Sequence, residues 1–195
     1  MNQKRWGRIF ALFSAICFCL SACLVQFSGG TASAAEEDAV YNGYSYQISQ
    51  DGSAVITGCE KNWIYLSLPS QIGSHTVSEI TDHAFSGCES IQEIVVPDSV
   101  KRIGTGAFQG CTNLARIVGA KGVTSTGKSI MEGTAWERAC PDDIAVLNSR
   151  IAVDILTEDP VITVPDGVEV LADNLFEGST IAAQINLPDS AVYLG

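Results

Sequence analysis

A repeat of 23 residues constrains this chain more than any other feature of its sequence. Residues 84–88 read Ala-Phe-Ser-Gly-Cys, and residues 107–111 repeat the alanine, phenylalanine, glycine and cysteine at the same places. Weaker copies, which keep the glycine, stand at 130–134 and 175–179. A fixed period of this length is typical of a solenoid, in which each unit buries its apolar side chains only against its neighbours.

A short β-branched run closed by proline recurs in the same units. Residues 95–100 read Val-Val-Pro-Asp-Ser-Val, and related segments occur at 163–168 and 186–191. The alternation of Ile94 and Val96 predicts a short strand with both side chains inside. The proline ends that strand because it has no N–H for the next position of the ladder. We therefore predict a mostly β repeat solenoid with short parallel strands and little regular helix.

The first residues have the order of a secretory signal peptide. Three basic residues come first, an apolar run covers 9–27, and Ala32-Ser33-Ala34 forms a small-residue exit. This pattern predicts cleavage after Ala34, although a membrane anchor is the alternative for so long an apolar run. A lipobox-like segment, 20–23, is a second alternative, since it would make Cys23 the lipidated first residue of an envelope lipoprotein. We expect a secreted or cell-surface protein.

The period is irregular towards both ends of the remaining chain. Alternating Tyr44, Tyr46 and Ile48 precede an Asp51-Gly52 turn, which predicts a β-hairpin cap. Further on, we expect a loop at 136–143 and then two strands. The last unit matches only half of a repeat, so we expect it to be incomplete. The predicted organisation is a signal peptide at 1–34, the hairpin cap and first coil at 35–79, regular repeats at 80–134, an interrupting insertion at 135–160 and further repeats at 161–195.

The charge balance disfavours two classes of partner. The chain has 22 acidic and 11 basic residues, for a net charge of −11. The predicted signal peptide holds three of the basic residues and none of the acidic ones, so its removal makes the chain more acidic. Such a surface repels phosphate backbones and anionic headgroups. We therefore expect no nucleic-acid partner and no membrane insertion after signal cleavage.

The histidines and cysteines of the sequence do not form a catalytic or metal-binding pattern. His75 lies in the first coil, and His83 occupies a variable repeat position without a signalled nucleophile or orienting partner. Cys88 and Cys111 are repeat equivalents, and Thr134 fills the same place later, which favours buried thiols over a disulfide or a metal pair. No Cys-x-x-Cys or calcium-loop pattern occurs. We predict no catalytic residue, no metal and no cofactor.

The outward residues of the predicted strands form the candidate binding face. Repeat proteins commonly bind with such a face, while the alternative is that these are only solvated strand positions. Counted from each proline, the outward residues are Tyr65, Ser67, Glu93, Val95, Arg116, Val118, Val161, Thr163, Gln184 and Asn186.

The repeat pattern resembles a known family. The pattern Ile-x-x-x-Ala-Phe-x-Gly-Cys-x-x-Leu-x-x-Ile-x-Val-Pro-x-x-Val is similar to the BspA-like class of bacterial leucine-rich repeats. The copy that begins at Ile80 has Ile91 at the leucine position, and the next copy has Leu114 there. The resemblance covers about residues 41–195. It implies an exported, often surface-displayed protein used in adhesion and protein recognition. We expect a protein or glycoprotein partner and no enzymatic activity. The alternatives are a structural spacer or envelope component, a fragment of a longer surface protein or, less favoured, a hydrolase.

Overall fold

The computed structural model describes residues 38–60, 62–177 and 182–193. The predicted signal peptide, the alternative lipid anchor at Cys23 and the final residue Gly195 lie outside these ranges. The one helix and fifteen strands of the described residues are β1 (Ala39–Tyr41), β2 (Tyr44–Ile48), β3 (Ala54–Cys59), β4 (Tyr65–Ser67), β5 (Gln71–Ile72), β6 (His75–Ile80), β7 (Glu93–Val96), β8 (Arg102–Ile103), β9 (Arg116–Gly119), β10 (Ser125–Thr126), α1 (Ala135–Arg138), β11 (Ile144–Leu147), β12 (Ile151–Ile155), β13 (Val161–Thr163), β14 (Val170–Leu171) and β15 (Gln184–Asn186).

The described chain begins with β1, which the sequence analysis did not predict, and continues with the predicted hairpin of β2 and β3. Strands β1, β2 and β3 pair antiparallel in chain order. Asn42 and Gly43 both have positive φ, at 53° and 90°, as a tight two-residue hairpin turn requires. Ala54 and Ile56 of β3 are fully buried, because alternate residues of a strand point to the same face. The hairpin thus covers one end of the core.

Two parallel ladders carry the repeats that follow. Strands β4, β7 and β9 form one sheet, with Leu66, Ile94 and Ile117 aligned across it. Strands β3, β6, β8 and β10 run parallel along a second sheet. Consecutive turns of the chain therefore contribute one strand to each sheet. The prediction of a mostly β solenoid with parallel strands is confirmed.

The core lies between these sheets. Ile94 and Ile103, which belong to different sheets, are both fully buried. The rings of Phe85 and Phe108 stack with centroids 5.7 Å apart. Burying a phenylalanine side chain stabilises a fold by about 1.5–3 kcal/mol, so the aromatic position of each repeat contributes much of the contact between successive turns.

The irregular stretch joins the stack through a second hairpin. Strands β11 and β12 are antiparallel, and Asn148 and Ser149 between them both have φ of 54°. Strand β12 then pairs in parallel with β14. Strands β11 and β12 agree with the two strands expected from the sequence. The prediction of a loop at 136–143 was wrong for residues 136–138. Residues Ala135–Arg138 form a single helical turn, which Thr134 caps by accepting a hydrogen bond from the Glu137 N–H at 3.1 Å.

Candidate functional site

Six of the ten predicted face residues lie together on the sheet of β4, β7 and β9. Tyr65, Glu93 and Arg116 are aligned in one row across the three strands. Ser67, Val95 and Val118 form a second, parallel row two residues further along. All six side chains are exposed or half-exposed. The residues between the two rows point inward and are buried, so the sheet presents a rigid outer face over a packed core.

The other four predicted face residues lie on a separate sheet. Val161 is aligned with Gln184, and Thr163 with Asn186, on the pair formed by β13 and β15. Among the described strands, neither β13 nor β15 pairs with β9. The expectation of one sheet face was therefore wrong. The stretch 135–160 forms α1 and the β11–β12 hairpin instead of a regular strand beside β9, and this divides the row in two.

The first group combines one aromatic ring with a cross-strand ion pair. Tyr65 is 69% exposed. Next to it in the row, the Arg116 guanidinium lies 3.4 Å from the Glu93 carboxylate. In the second group, the Asn186 side-chain amide donates a hydrogen bond to the Thr163 hydroxyl at 3.1 Å. Each group therefore has its polar side chains already oriented across neighbouring strands.

The cysteines and histidines lie elsewhere in the fold. Cys59, Cys88, Cys111 and Cys140 are not joined to one another by disulfide bonds. Cys111 is fully buried and its thiol donates to the Phe85 carbonyl at 3.0 Å. Burial, with smaller contributions from neighbouring thiols, raises the pKa of Cys111 to about 12, which keeps this thiol protonated and a poor nucleophile.

Neither histidine lies on the outward face. Nδ1 of His75 lies 2.7 Å from the Gly52 carbonyl oxygen. His83 is exposed on a turn, with a φ of 55°. Within the described ranges, no group of three or more histidine, cysteine, aspartate or glutamate side chains is arranged to hold a metal ion.

A groove of about 470 Å³ runs beside β9, and the sequence reasoning missed it. Residues 116–121 form one wall and the turn 148–151 forms the other. The only sequence signal for it was the loss of the 23-residue period after Thr134. That signal shows where a regular strand is missing but not what replaces it.

Comparison with known proteins places the repeats in a family. Residues 61–143 match the BspA type leucine rich repeat region in six copies. No curated protein matches the sequence. No helix among the described residues is long and apolar enough to cross a membrane.

Solved structures of several bacterial proteins share the fold. A leucine-rich-repeat protein of T. pallidum is 21% identical with a TM-score of 0.53, over 81% of this chain and 86% of that one. A leucine rich cell surface protein of Faecalibacterium prausnitzii A2-165 is 24% identical with a TM-score of 0.53, over 84% of this chain and 46% of that one.

A leucine-rich-repeat protein of Bacteroides ovatus is 24% identical with a TM-score of 0.54, over 79% of this chain and 42% of that one. The chain thus spans less than half the length of the last two proteins. At these identities the likeness concerns the fold, and the family match names its repeats. The chain therefore carries a BspA-type leucine-rich-repeat region, as the pattern of its sequence predicted.

Proposed function

We propose that this protein is an exported recognition module that binds a protein or glycoprotein at the bacterial cell surface. The observation that carries the proposal is the row formed by Tyr65, Glu93 and Arg116, which are aligned on three parallel strands over a buried core. The face holds its side chains in place before binding, so little conformational entropy is lost on association.

The chemistry of the row fits protein recognition. Tyrosine and arginine are the residue types enriched among side chains that dominate binding energy at protein interfaces. Tyr65 offers an exposed ring, and Arg116, whose side chain is 68% exposed, offers a planar guanidinium. The four residues on β13 and β15 form a second, smaller patch for the same partner.

Surface display and adhesion are part of the proposal. The family match supports display, because its members are bacterial leucine-rich-repeat proteins, and the F. prausnitzii structure is described as a cell surface protein. The predicted signal peptide at 1–34 supports export, with lipidation at Cys23 as the alternative route to the envelope. The proposed role is non-enzymatic, as is typical of this family and fold.

The test is partner capture with a charge-swapped face. The chain is immobilised and exposed to extracellular matrix proteins, mucin and an envelope extract of the producing cells. The variant carries Glu93→Lys with Arg116→Glu, which keeps one cation beside one anion across β7 and β9 and so leaves the fold intact. We expect one saturable partner whose binding the variant weakens at least tenfold.

The matched control is the same swap on the other sheet. Glu79 and Arg102 form an ion pair of 2.6 Å across β6 and β8. This pair has the same two residue types as the Glu93–Arg116 pair on the face. Glu79→Lys with Arg102→Glu is expected to bind the partner as the natural protein does. Equal losses in both variants, or a folded protein that captures nothing from any pool, would contradict the proposal, and the second result would favour a structural spacer.

A further inference from the structure

The groove beside β9 lies along an unpaired sheet edge. Among the described strands, β9 pairs with β7 alone. On its other side, the Trp136 N–H donates to the Leu114 carbonyl at 2.8 Å, and the Asn148 side-chain amide donates to the Gly119 carbonyl at 2.7 Å. These two contacts close the ends of the edge. The part between them faces the groove.

The backbone along this edge is available for pairing. In a parallel sheet, alternate residues of a strand direct their N–H and C=O groups to opposite neighbours. Arg116 of β9 and Ala120, which directly follows the strand, donate their backbone N–H groups to the Gln92 and Val96 carbonyls on the β7 side. Ile117, which lies between them, therefore directs its N–H and C=O groups into the groove. Unpaired N–H and C=O groups at a sheet edge are a template for another strand.

The groove has a charge opposite to that of the whole protein. Three cationic residues, Arg116, Lys121 and Arg150, line it, and none of its lining residues is acidic. The chain as a whole carries twice as many acidic as basic residues. Arg116 and Arg150 are each paired with a glutamate outside the lining, whereas Lys121 has no ion-pair partner among the described residues. A net positive groove on an acidic protein favours an acidic ligand.

We propose that this groove binds an extended acidic peptide segment of another protein, which adds to β9 as a strand. The peptide backbone would pair with the edge at Ile117, and its carboxylates would approach Lys121 and Arg116. Main-chain hydrogen bonds supply the affinity in this mode of recognition, and alternate side chains supply the specificity. The site adjoins the outward face, with which it shares Arg116 and Val118, and it rests on the proposed function only in taking the ligand to be a protein.

A second copy of the chain is the less favoured occupant. If two copies paired through their β9 edges, Arg116, Lys121 and Arg150 of one would face the same three cations of the other. Like charges across an edge oppose pairing. The free edge is also short. Four residues in β9 extend about 13 Å at about 3.3 Å per residue, a length that a peptide of four to six residues matches.

The experiment titrates three fluorescent hexapeptides against the full chain and follows their anisotropy. In the first peptide valine alternates with glutamate, and in the second lysine replaces glutamate. The third has the first sequence with alternate backbone nitrogens methylated, which removes N–H donors without changing charge. We expect saturable binding of the glutamate peptide only, weakened by added salt because the attraction is screened.

Two single-charge variants locate the site. Lys121→Gln removes the unpaired cation of the groove and is expected to weaken binding about two- to fivefold, the range of one exposed charge contact. Lys128→Gln removes an exposed cation on the turn after β10 and is expected to change nothing. Neither variant alters Tyr65, Glu93 or Arg116, so partner capture by the face can succeed or fail independently.

Several results would overturn the assignment. These are the absence of saturable binding at millimolar peptide, equal affinity for the lysine or methylated peptide, and equal affinity of Lys121→Gln and the natural protein. Sedimentation of the peptide-free chain measures whether it forms a dimer. A dimer that Lys121→Gln changes would assign the edge to a second copy instead.

Discussion

Side chains of very different size occupy the same left-handed backbone position in four repeats. His83, Gly106, Ser129 and Asn174 have φ values of 55°, 58°, 54° and 57°. In sequence this position is simply variable. Its conformation shows what the four residues share, which is the absence of a β-branched side chain at a place where only glycine is unstrained and asparagine is well tolerated.

Replacement of His83 tests this constraint. We expect His83→Asn to keep the free energy of unfolding within about 0.5 kcal/mol, since Asn174 already occupies the equivalent position. His83→Val is expected to lose about 1–2 kcal/mol or more, because a left-handed conformation is unfavourable for a branched side chain. Urea unfolding of the two variants and of the natural protein measures these free energies. Equal stabilities would show that the turn does not hold this conformation.

The buried thiol of Cys111 makes stability depend on pH at alkaline values. Its pKa is raised from 9.0 to about 12 by burial, so the unfolded chain releases the thiol proton before the folded chain does. The contribution of this group to stability is therefore intact below about pH 9 and falls as the pH rises from there towards 12.

Cys111→Thr is the matched variant, because Thr134 fills the equivalent place in a later repeat and is also fully buried. Urea unfolding is measured from pH 8 to pH 10.5. We expect the free energy of unfolding of the natural protein to fall more steeply over this range than that of the variant. Parallel pH curves would mean that this thiol ionises as easily in the folded chain as in the unfolded one.

At the scale of the element, period and turn residues predicted the strands well and the helix poorly. The alternation of Ile94 and Val96 and the proline after them were enough to predict β7. The helix α1 has only four residues, too few for a helical period to show. Its one signal was Thr134 followed three residues later by Glu137. This is a capping-box pattern, but without an apolar helical stretch after it the pattern does not by itself predict a helix.

Substitutions in β3 test whether the N-terminal hairpin packs into the same core as the repeats. Ile56 is fully buried and Val55, its neighbour on the other face of β3, is half-buried. We expect Ile56→Ala to lower the free energy of unfolding by about 2–5 kcal/mol, and Val55→Ala to lower it by about 1 kcal/mol or less. Thermal and urea unfolding make the comparison. Similar small losses would show that the hairpin does not seal the stack.

At the scale of the whole molecule, the repeat determines what could be foreseen. A constant period predicts that equivalent residues align on neighbouring strands, as Glu93 and Arg116 do at a separation of 23 residues. It predicts nothing where it breaks. The separation of β13 and β15 from β9, and the groove beside β9, follow from how residues 135–160 pack. No other segment among the described residues combines a one-turn helix with a hairpin, so no other repeat predicts this packing.

Photo-crosslinking from two serines tests the central claim, that the outward face of β4, β7 and β9 is the recognition surface. A photoreactive amino acid replaces Ser67 on that face or Ser86, which is also exposed and lies on the turn after His83. Each variant is irradiated with the captured partner. The account predicts a crosslink from position 67 and none from position 86. A crosslink from position 86 alone, or equal yields from both, would contradict it.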